Sequence, residues 1–278
     1  MPPSKTSGLC PRCKRLVSTH EKTCPYCGLS APQGLLRRLS PVHWLHAGNR
    51  LTMSIIWINI FFYVISLIFS KNVSFASDPF SFLAPDSTSL LALGASGTIP
   101  IQLFHAWYTL ISANWLHSSL LHLGFNMAVI YQLVHPTVAF YGTGRTVLIY
   151  IVGGIGGFFG SYLAGIPFTV GASAALCALI GSLLFYGKHR GGPQGHAIYR
   201  QLLIWAIFIL GSGFLMTGIN NWAHLGGFIS GILLGWAVGY QERLPEKNWM
   251  RTLANFSIII TLLVLAFCLY RAVQVFFL

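Results

Sequence analysis

Two residues of this chain carry the side chains of a nucleophile and of a base, and both lie in apolar segments. Ser173 lies in VGASAAL (residues 170–176) and His224 lies in NWAHLGG (residues 221–227). An ionisable histidine in an apolar span costs free energy and is therefore a candidate functional residue. A serine hydroxyl becomes an effective nucleophile when a neighbouring imidazole accepts its proton. The pair indicates acyl-transfer chemistry if the fold brings the two side chains together.

Polar residues in a second apolar segment suit an oxyanion hole. His122 and Asn126 are spaced i and i+4, which places both side chains on one face of a helix, and the backbone N–H of Ser173 at a helix start is a further donor. The alternative is that His122 and Asn126 only form hydrogen bonds between helices. None of the five acidic residues lies in an apolar segment, so the sequence predicts a Ser–His dyad without a carboxylate; these residues are Glu21, Asp78, Asp86, Glu242 and Glu246.

Two other patterns compete with this interpretation. Gly94-Ala95-Ser96-Gly97 matches G-x-S-G literally, but we expect Ser96 to lie in a flexible external loop, which makes Ser173 the better candidate. The second alternative is a metal site formed by His117, His122 and His224. It is disfavoured because no acidic residue or cysteine stands near these histidines in the sequence.

The composition excludes an ordinary soluble domain, because 54% of the 278 residues are hydrophobic and only 8% are charged. Most of the apolar stretches approach the roughly 20 residues that a membrane-spanning helix needs. The polar and basic first 50 residues do not resemble a cleavable signal peptide. The sequence therefore predicts an all-α polytopic membrane protein with seven spans, at about 51–69, 113–135, 145–165, 171–187, 200–218, 222–240 and 254–277.

The basic residues predict the orientation of these spans. With the N-terminus in the cytoplasm, all of the 17 lysines and arginines except Lys71 and Arg271 fall on the inner side. The second, fourth and sixth spans then run from outside to inside, which brings His122, Ser173 and His224 to one level in the outer part of the bilayer. We expect a multi-pass protein of the cell (inner) membrane with its C-terminus outside. This topology explains the net charge of +12, so nucleic acid is not an expected partner.

The first 34 residues predict a separate zinc-ribbon-like module. Cys10 and Cys13 form one C-x-x-C pair, and Cys24 and Cys27 form another. Four thiolates at this spacing suit tetrahedral zinc, whereas disulfides are disfavoured in the reducing cytoplasm. Its cytoplasmic partner is unknown. The predicted domains are this module at 1–34, an interfacial linker at 35–50, a six-helix core at 51–240, and a loop with a seventh helix at 241–278.

Taken together, these motifs resemble the rhomboid intramembrane proteases. The resemblance runs from about residue 90 to residue 240 and agrees in order, spacing and topology. It implies a rhomboid-like six-helix core plus one C-terminal transmembrane helix, with Ser173 as nucleophile and His224 as base. It also implies an oxyanion hole formed by His122, Asn126 and the Ser173 amide. The matching stretches are WLHSSLLHLGFNM (115–127), YGTGRTVLIYIVGGIGG (141–157), GASAALCALIG (171–181) and AHLGGFISGILLG (223–235).

The chain departs from the family pattern at three places. Ala174 replaces the glycine of G-x-S-G, and Cys177 replaces the aromatic residue that usually lies against the histidine ring. Tyr108 and Thr109 stand where a Trp-Arg pair is common. None of these changes removes a catalytic atom, but they bear on efficiency and specificity.

The resemblance implies a serine endopeptidase that cleaves transmembrane substrates near the outer membrane face without a catalytic cofactor. Two alternatives stay open at this point. One is a non-catalytic rhomboid-like protein that binds membrane proteins within the bilayer. The other is a membrane-tethered regulator that acts through the zinc module.

Overall fold

A computed structural model describes residues 7–10, 15–18, 20–26, 40–45, 49–76, 78, 81–215, 218–242 and 246–277. The chain divides into two compact units, Met1–Arg50 and Leu51–Leu278. The finer division at residues 34 and 240 stays a prediction.

The described residues of the first unit form a small antiparallel hairpin and a short helix. Strand β1 (Ser7–Leu9) pairs with β2 (Leu16–Ser18), and helix α1 covers Pro41–Leu45. Cys10 and Cys24 are buried around Val17, at 0%, 1% and 4% exposure. The other two predicted zinc ligands, Cys13 and Cys27, lie outside the described residues.

In its described residues, the second unit is helical apart from a short hairpin, β3 (Ser74–Phe75) with β4 (Phe82–Ala84). Its long helices are α2 (Arg50–Phe69), α6 (Leu120–Tyr141), α7 (Thr143–Leu163), α8 (Ser173–Arg190), α9 (Gly192–Leu215), α10 (Asn221–Val238) and α11 (Asn248–Phe277). Short helices lie between α2 and α6: α3 (Ser87–Ala92), α4 (Thr98–Phe104) and α5 (Thr109–Ser112), followed by a 3-10 turn at Ala113–Trp115.

Among the described residues, five helices are long and apolar enough to cross a membrane: α2, α6, α7, α9 and α11. They support an integral, multi-pass membrane protein. Helices α8 and α10 have 18 residues each and fall short of the same criterion. Both carry small residues and polar groups, which lower their mean hydropathy. Most of α8 is buried by its neighbours, whereas α10 exposes large apolar side chains on one side, among them Leu233 and Trp236. Each of the seven predicted spans overlaps one long helix in the described part of the chain. That the chain crosses the membrane seven times, with α8 and α10 among the crossings, stays a prediction.

The predicted start of the second span, at residue 113, is wrong. Helix α6 begins at Leu120, because Ser119 adopts an extended conformation and its hydroxyl accepts a hydrogen bond from the N–H of His122 at 3.2 Å. A serine in this position ends the preceding segment and starts the helix. His117 therefore lies in the connection before the helix, whereas His122 and Asn126 lie in its first two turns.

The long connection between α2 and α6, which is the predicted external connection, is also more ordered than the expected flexible loop. Ser96 is completely buried, and its N–H and C=O both pair with the backbone of Thr169, at 3.0 and 2.8 Å. The hydroxyl of Thr109 donates to Ser96 Oγ at 3.3 Å. Ser96 is thus a structural residue that joins the external connection to the segment before Ser173.

Small residues bring α7, α8 and α10 close together. On α8, Ala174 and Ala178 are one turn apart. Gly157 and Gly153 of α7 lie against their methyl groups, while Gly227 and Gly231 of α10 lie against the carbonyl groups of the same two alanines. Side chains at these glycines would collide with α8. Helices α8 and α10, which overlap the predicted fourth and sixth spans, are therefore direct neighbours.

Helix α11 packs along α7, α3 and α5. Near its start, Glu246 accepts hydrogen bonds from the backbone N–H of Arg145 at 3.1 Å and from Nε of Arg251 at 2.8 Å. Near its end, Arg271 donates to the hydroxyl of Tyr108 at 3.2 Å. The helix is thus tied to the rest of the unit at both ends.

Candidate active site

Ser173 is the first residue of α8 and follows a constrained loop. Gly171 has φ of +136°, a conformation that L side chains rarely adopt, and its N–H donates to the carbonyl of Ala113 at 2.9 Å. The first backbone N–H groups of a helix have no partner within the helix. The helix start therefore presents the hydroxyl of Ser173 together with backbone N–H groups that suit a negatively charged oxygen.

His224 lies in the first turn of α10 and faces Ser173. The distance between His224 Nε2 and Ser173 Oγ is 2.9 Å, which is within the range of a proton-transferring hydrogen bond. His224 is 7% exposed, and its Nδ1 has no hydrogen-bond partner among the residues that the structure describes. A carboxylate would occupy that position in a triad. The distance fits a Ser–His pair, whereas a dyad without a carboxylate and its catalytic role stay predictions.

His122 reaches the same place from α6. A Cβ added to Gly171 would lie 2.8 Å from both Nε2 and Cε1 of His122, so only a glycine allows the imidazole to approach this loop. Nδ1 of His122 accepts from the backbone N–H of Ser118 at 3.4 Å and lies 3.0 Å from its hydroxyl. Because Nδ1 is an acceptor, the ring proton is on Nε2, which then points toward the Ser173 loop as a donor.

Asn126 is less clearly directed at the site. It is 5% exposed, and its Nδ2 donates to the carbonyl of His122 at 2.8 Å, one turn back in the same helix. An asparagine has two N–H bonds on Nδ2, so one remains for another acceptor. The structure thus brings Ser173, His224 and His122 together and turns part of the Asn126 amide toward its own helix.

His117 lies behind His122 rather than at the serine. The two rings meet edge to face at 5.0 Å between centroids. His117 is fully buried, and neither ring nitrogen has a hydrogen-bond partner within the described part of the chain. No group of three or more histidine, cysteine or acidic side chains is placed to bind a metal ion among those residues.

The departures from the family pattern have local explanations. The methyl group of Ala174 fits because Gly157 faces it from α7. Cys177 is completely buried, and a Cβ on Gly227 would lie 3.1 Å from its Cβ. A small thiol thus lets α10 approach α8 beside His224. Tyr108 packs edge to face on Phe267 of α11 at 5.2 Å.

Sequence reasoning missed three polar residues near the dyad. Asn220 precedes α10, and its Nδ2 donates to Ser161 Oγ at 2.6 Å and to Thr169 Oγ1 at 3.0 Å. An asparagine immediately before a helix is a recognised N-cap signal, and this signal was available in the sequence. Nothing in the sequence indicates that Thr169 and Ser161 are its partners.

Comparison with known proteins supports a relation to the rhomboid family. Residues 105–241 match the rhomboid domain. These residues include Ser173, His224, His122 and Asn126. Together with the relatives described next, the match supports the rhomboid family.

The relatives include proteins named as rhomboid proteases. The chain is 31% identical over 133 residues to the rhomboid protease GluP of Bacillus subtilis, covering 48% of this chain and 26% of that protein. It is 33% identical over 138 residues to Rhomboid-type serine protease 2 of Emericella nidulans, covering 48% and 27%. It is 34% identical over 183 residues to RHOMBOID-like protein 7 of Arabidopsis thaliana, covering 63% and 55%. The chain therefore spans about a quarter to about half the length of these rhomboid relatives.

Proposed function

We propose that this chain is an intramembrane serine endopeptidase that cleaves transmembrane proteins near the outer membrane face. The observation that supports this most is the 2.9 Å distance between Ser173 Oγ and His224 Nε2 at the starts of two adjacent helices. The rhomboid match and the relatives named as proteases support the same activity. Ser173 is the nucleophile and His224 is the general base.

The reaction is an acyl transfer in two steps. His224 Nε2 accepts the proton of Ser173 as Oγ attacks the peptide carbonyl, and the imidazolium then protonates the leaving amine. The developing oxyanion is bound by the backbone N–H of Ser173, by Nε2–H of His122 and by the remaining N–H of Asn126. A water molecule, deprotonated by His224, then hydrolyses the acyl-enzyme.

The substrate class follows from the location of these groups in an apolar protein. A peptide bond inside a stable transmembrane helix is shielded, because its carbonyl accepts a hydrogen bond within the helix. Cleavage therefore requires a locally unwound segment. We expect substrates with small or helix-breaking residues near the cut, at the outer end of a single transmembrane helix.

The test is cleavage of a single-span protein in proteoliposomes together with labelling by a serine-directed fluorophosphonate. The wild-type protein should cleave and be labelled, and Ser173→Ala should do neither. Ser182→Ala is the matched control, because Ser182 lies in the same helix and its hydroxyl donates to the carbonyl of Leu179 at 2.8 Å. Undiminished cleavage by Ser173→Ala would refute the assignment. A wild-type protein that binds single-span proteins without cleaving or being labelled would instead be a non-catalytic membrane-protein binder.

We also propose that the N-terminal unit binds one structural zinc ion through Cys10, Cys13, Cys24 and Cys27. The burial of Cys10 and Cys24 beside a two-stranded hairpin supports this, since a unit with so few apolar residues needs a cross-link to fold. Elemental mass spectrometry of the purified protein should find about one zinc per chain. Cys10→Ser and Cys24→Ser should lose the metal, whereas Cys177→Ser, in the helical unit, should retain it. A wild-type protein without zinc would contradict the proposal. Binding of a cytoplasmic partner by the N-terminal unit would then not require zinc.

A further inference from the structure

The side chain of Asn220 caps the helix that carries His224. Asn220 precedes α10, and its Oδ1 accepts a hydrogen bond from the N–H of Ala223 at 3.1 Å. Its carbonyl oxygen accepts the N–H of His224 at 3.2 Å. Asn220 therefore determines both where α10 begins and how its first turn, with the imidazole of His224, is oriented.

The same side chain also holds the segment that leads to Ser173. Nδ2 of Asn220 donates to Thr169 Oγ1 at 3.0 Å and to Ser161 Oγ, in the last turn of α7, at 2.6 Å. Thr169 is buried and is fixed on its backbone side by its two hydrogen bonds with Ser96. The contact thus joins two segments that are already constrained.

The orientation of the Asn220 amide follows from its partners. The N–H of Ala223 is a donor only, so the atom that faces it is the oxygen. The nitrogen then faces Thr169 and Ser161, and both of its N–H bonds are used. The Asn220 side chain thus forms three of the four hydrogen bonds that an asparagine amide can form.

The bond between Asn220 and Thr169 lies at the same sequence distance from each residue of the dyad. Asn220 lies four residues before His224, and Thr169 lies four residues before Ser173. The helices α8 and α10 are held together along their length by the contacts of Gly227 and Gly231. The bond between Asn220 and Thr169 adds a constraint at the ends of these helices, where the dyad lies and where helices otherwise fray.

We propose that Asn220 is a positioning residue that fixes the distance between Ser173 Oγ and His224 Nε2 through its bonds to Thr169 and Ser161. This inference rests on the proposed proteolytic function. Loss of the constraint allows the two side chains to separate, and a displacement of about 1 Å between reacting groups lowers a rate by as much as about 100-fold. Binding of the substrate does not depend on that distance.

The experiment compares variants that remove one partner at a time. Thr169→Val removes the hydroxyl and keeps the shape, whereas Asn220→Ser keeps a capping oxygen but is too short to bridge. Both should lower kcat and the rate of fluorophosphonate labelling by about 10- to 100-fold, with KM within about twofold of wild type. The double variant Asn220→Ser/Thr169→Val should be no slower than the slower single variant, because Asn220→Ser already removes the bond to Thr169.

Thr137→Val is the matched control, since Thr137 is also buried but its hydroxyl donates to the carbonyl of Leu133 in its own helix, at 2.7 Å. It should keep kcat and labelling within about twofold. Rates are compared on protein that elutes as a folded species, so a loss of folded protein is not read as a loss of rate. Wild-type kcat in both single variants would overturn the inference about Asn220, and so would effects that multiply in the double variant. Either result would leave the proposed function intact. A wild-type protein that neither cleaves nor is labelled would overturn the proposed function as well.

Discussion

The position of Ser173 depends on how the next residue, Ala174, packs against the neighbouring helix. Ala174 carries a methyl group where the family pattern has a glycine, and Gly157 of α7 provides the space for that methyl group. The extra volume next to the nucleophile is therefore compensated across a helix interface. The pair shows how a departure in one motif depends on a residue in another, which no single motif reveals.

Gly157→Ala tests this compensation. The new Cβ would lie 2.8 Å from Cβ of Ala174 and 2.7 Å from the carbonyl oxygen of Ala223. Because neither atom belongs to a flexible side chain, α7 must shift, and we expect a loss of about 1–3 kcal/mol in the free energy of unfolding, together with slower labelling of Ser173. Thermal unfolding in detergent micelles and the fluorophosphonate rate measure the two effects.

Gly211→Ala is the control for Gly157→Ala. Gly211 lies inside α9, and nothing lies within 4 Å of its added Cβ. An alanine there should leave stability unchanged or raise it by up to about 1 kcal/mol, because alanine favours the helix. If Gly157→Ala were as stable as Gly211→Ala, the close fit beneath Ser173 would have no energetic significance.

At the same scale, the sequence predicted the dyad residues but not what holds them. Ser173 and His224 stand out because polar groups are rare in apolar spans. Asn220, Thr169 and Ser161 are ordinary loop and helix-end residues, and only the folded chain brings them together. The orientation of Asn126 could not be foreseen either, because the spacing i and i+4 fits both an oxyanion donor and a bond within the helix.

At the scale of elements, hydropathy located the long helices well, since an apolar run of that length has few other structures. It failed where polar capping decides the boundary, as at Ser119, which starts α6 seven residues after the predicted position. It also failed in the external connection, where α3 and α4 are six and seven residues long. Helices that short have no clear periodicity and are stabilised by their contacts.

Asp86 organises the start of that external connection. Its Oδ1 accepts from the N–H of Ser89 at 2.7 Å and so caps α3, while its Oδ2 accepts from the N–H of Lys71 at 2.8 Å, just beyond the end of α2. Partial burial raises the pKa of Asp86, whereas the hydrogen bonds from Ser89, Lys71 and Asn72 lower it. The hydrogen bonds together outweigh burial, so the pKa of Asp86 lies below its ordinary value.

This shift predicts a pH-dependent contribution to stability. Because the folded-state pKa is lower than the unfolded one, the contribution is fully present above the unfolded value of about 3.9 and is lost as the pH falls through the folded value. Asp86→Asn should therefore be less stable than wild type at neutral pH, and the difference should shrink below about pH 4. Unfolding midpoints from pH 7 to pH 3 measure this.

Asp78→Asn provides the comparison for Asp86. Asp78 lies in the same connection and accepts a hydrogen bond from the exposed hydroxyl of Ser81 at 2.9 Å. Its difference from wild type should be small at neutral pH. If the difference in unfolding midpoint between Asp86→Asn and wild type stayed constant down to pH 3, the negative charge of Asp86 would not contribute to capping α3.

At the scale of the whole molecule, hydrogen bonds between helix ends show which ends lie together. This information does not depend on the count of basic residues that predicts the topology. Arg271, near the end of α11, meets Tyr108 in the connection between α2 and α6. Glu246, near the start of α11, meets Arg145 near the start of α7. The first contact joins the segments that charge counting assigns to the outside, and the second joins segments assigned to the cytoplasm. The two lines of reasoning agree.

This agreement leads to a prediction for the topology of the protein in the cell membrane. Alkaline phosphatase, which folds only outside the cytoplasm, should be active when it is fused after Leu278 and inactive when it is fused after Tyr240. Green fluorescent protein, which fluoresces on the cytoplasmic side, should give the opposite pattern at the same two positions. All of the 17 basic residues except Lys71 and Arg271 then lie in the cytoplasm or at its membrane surface. The reverse activities would place Ser173 and His224 near the cytoplasmic face, where the proposed cleavage of substrates at the outer face could not occur.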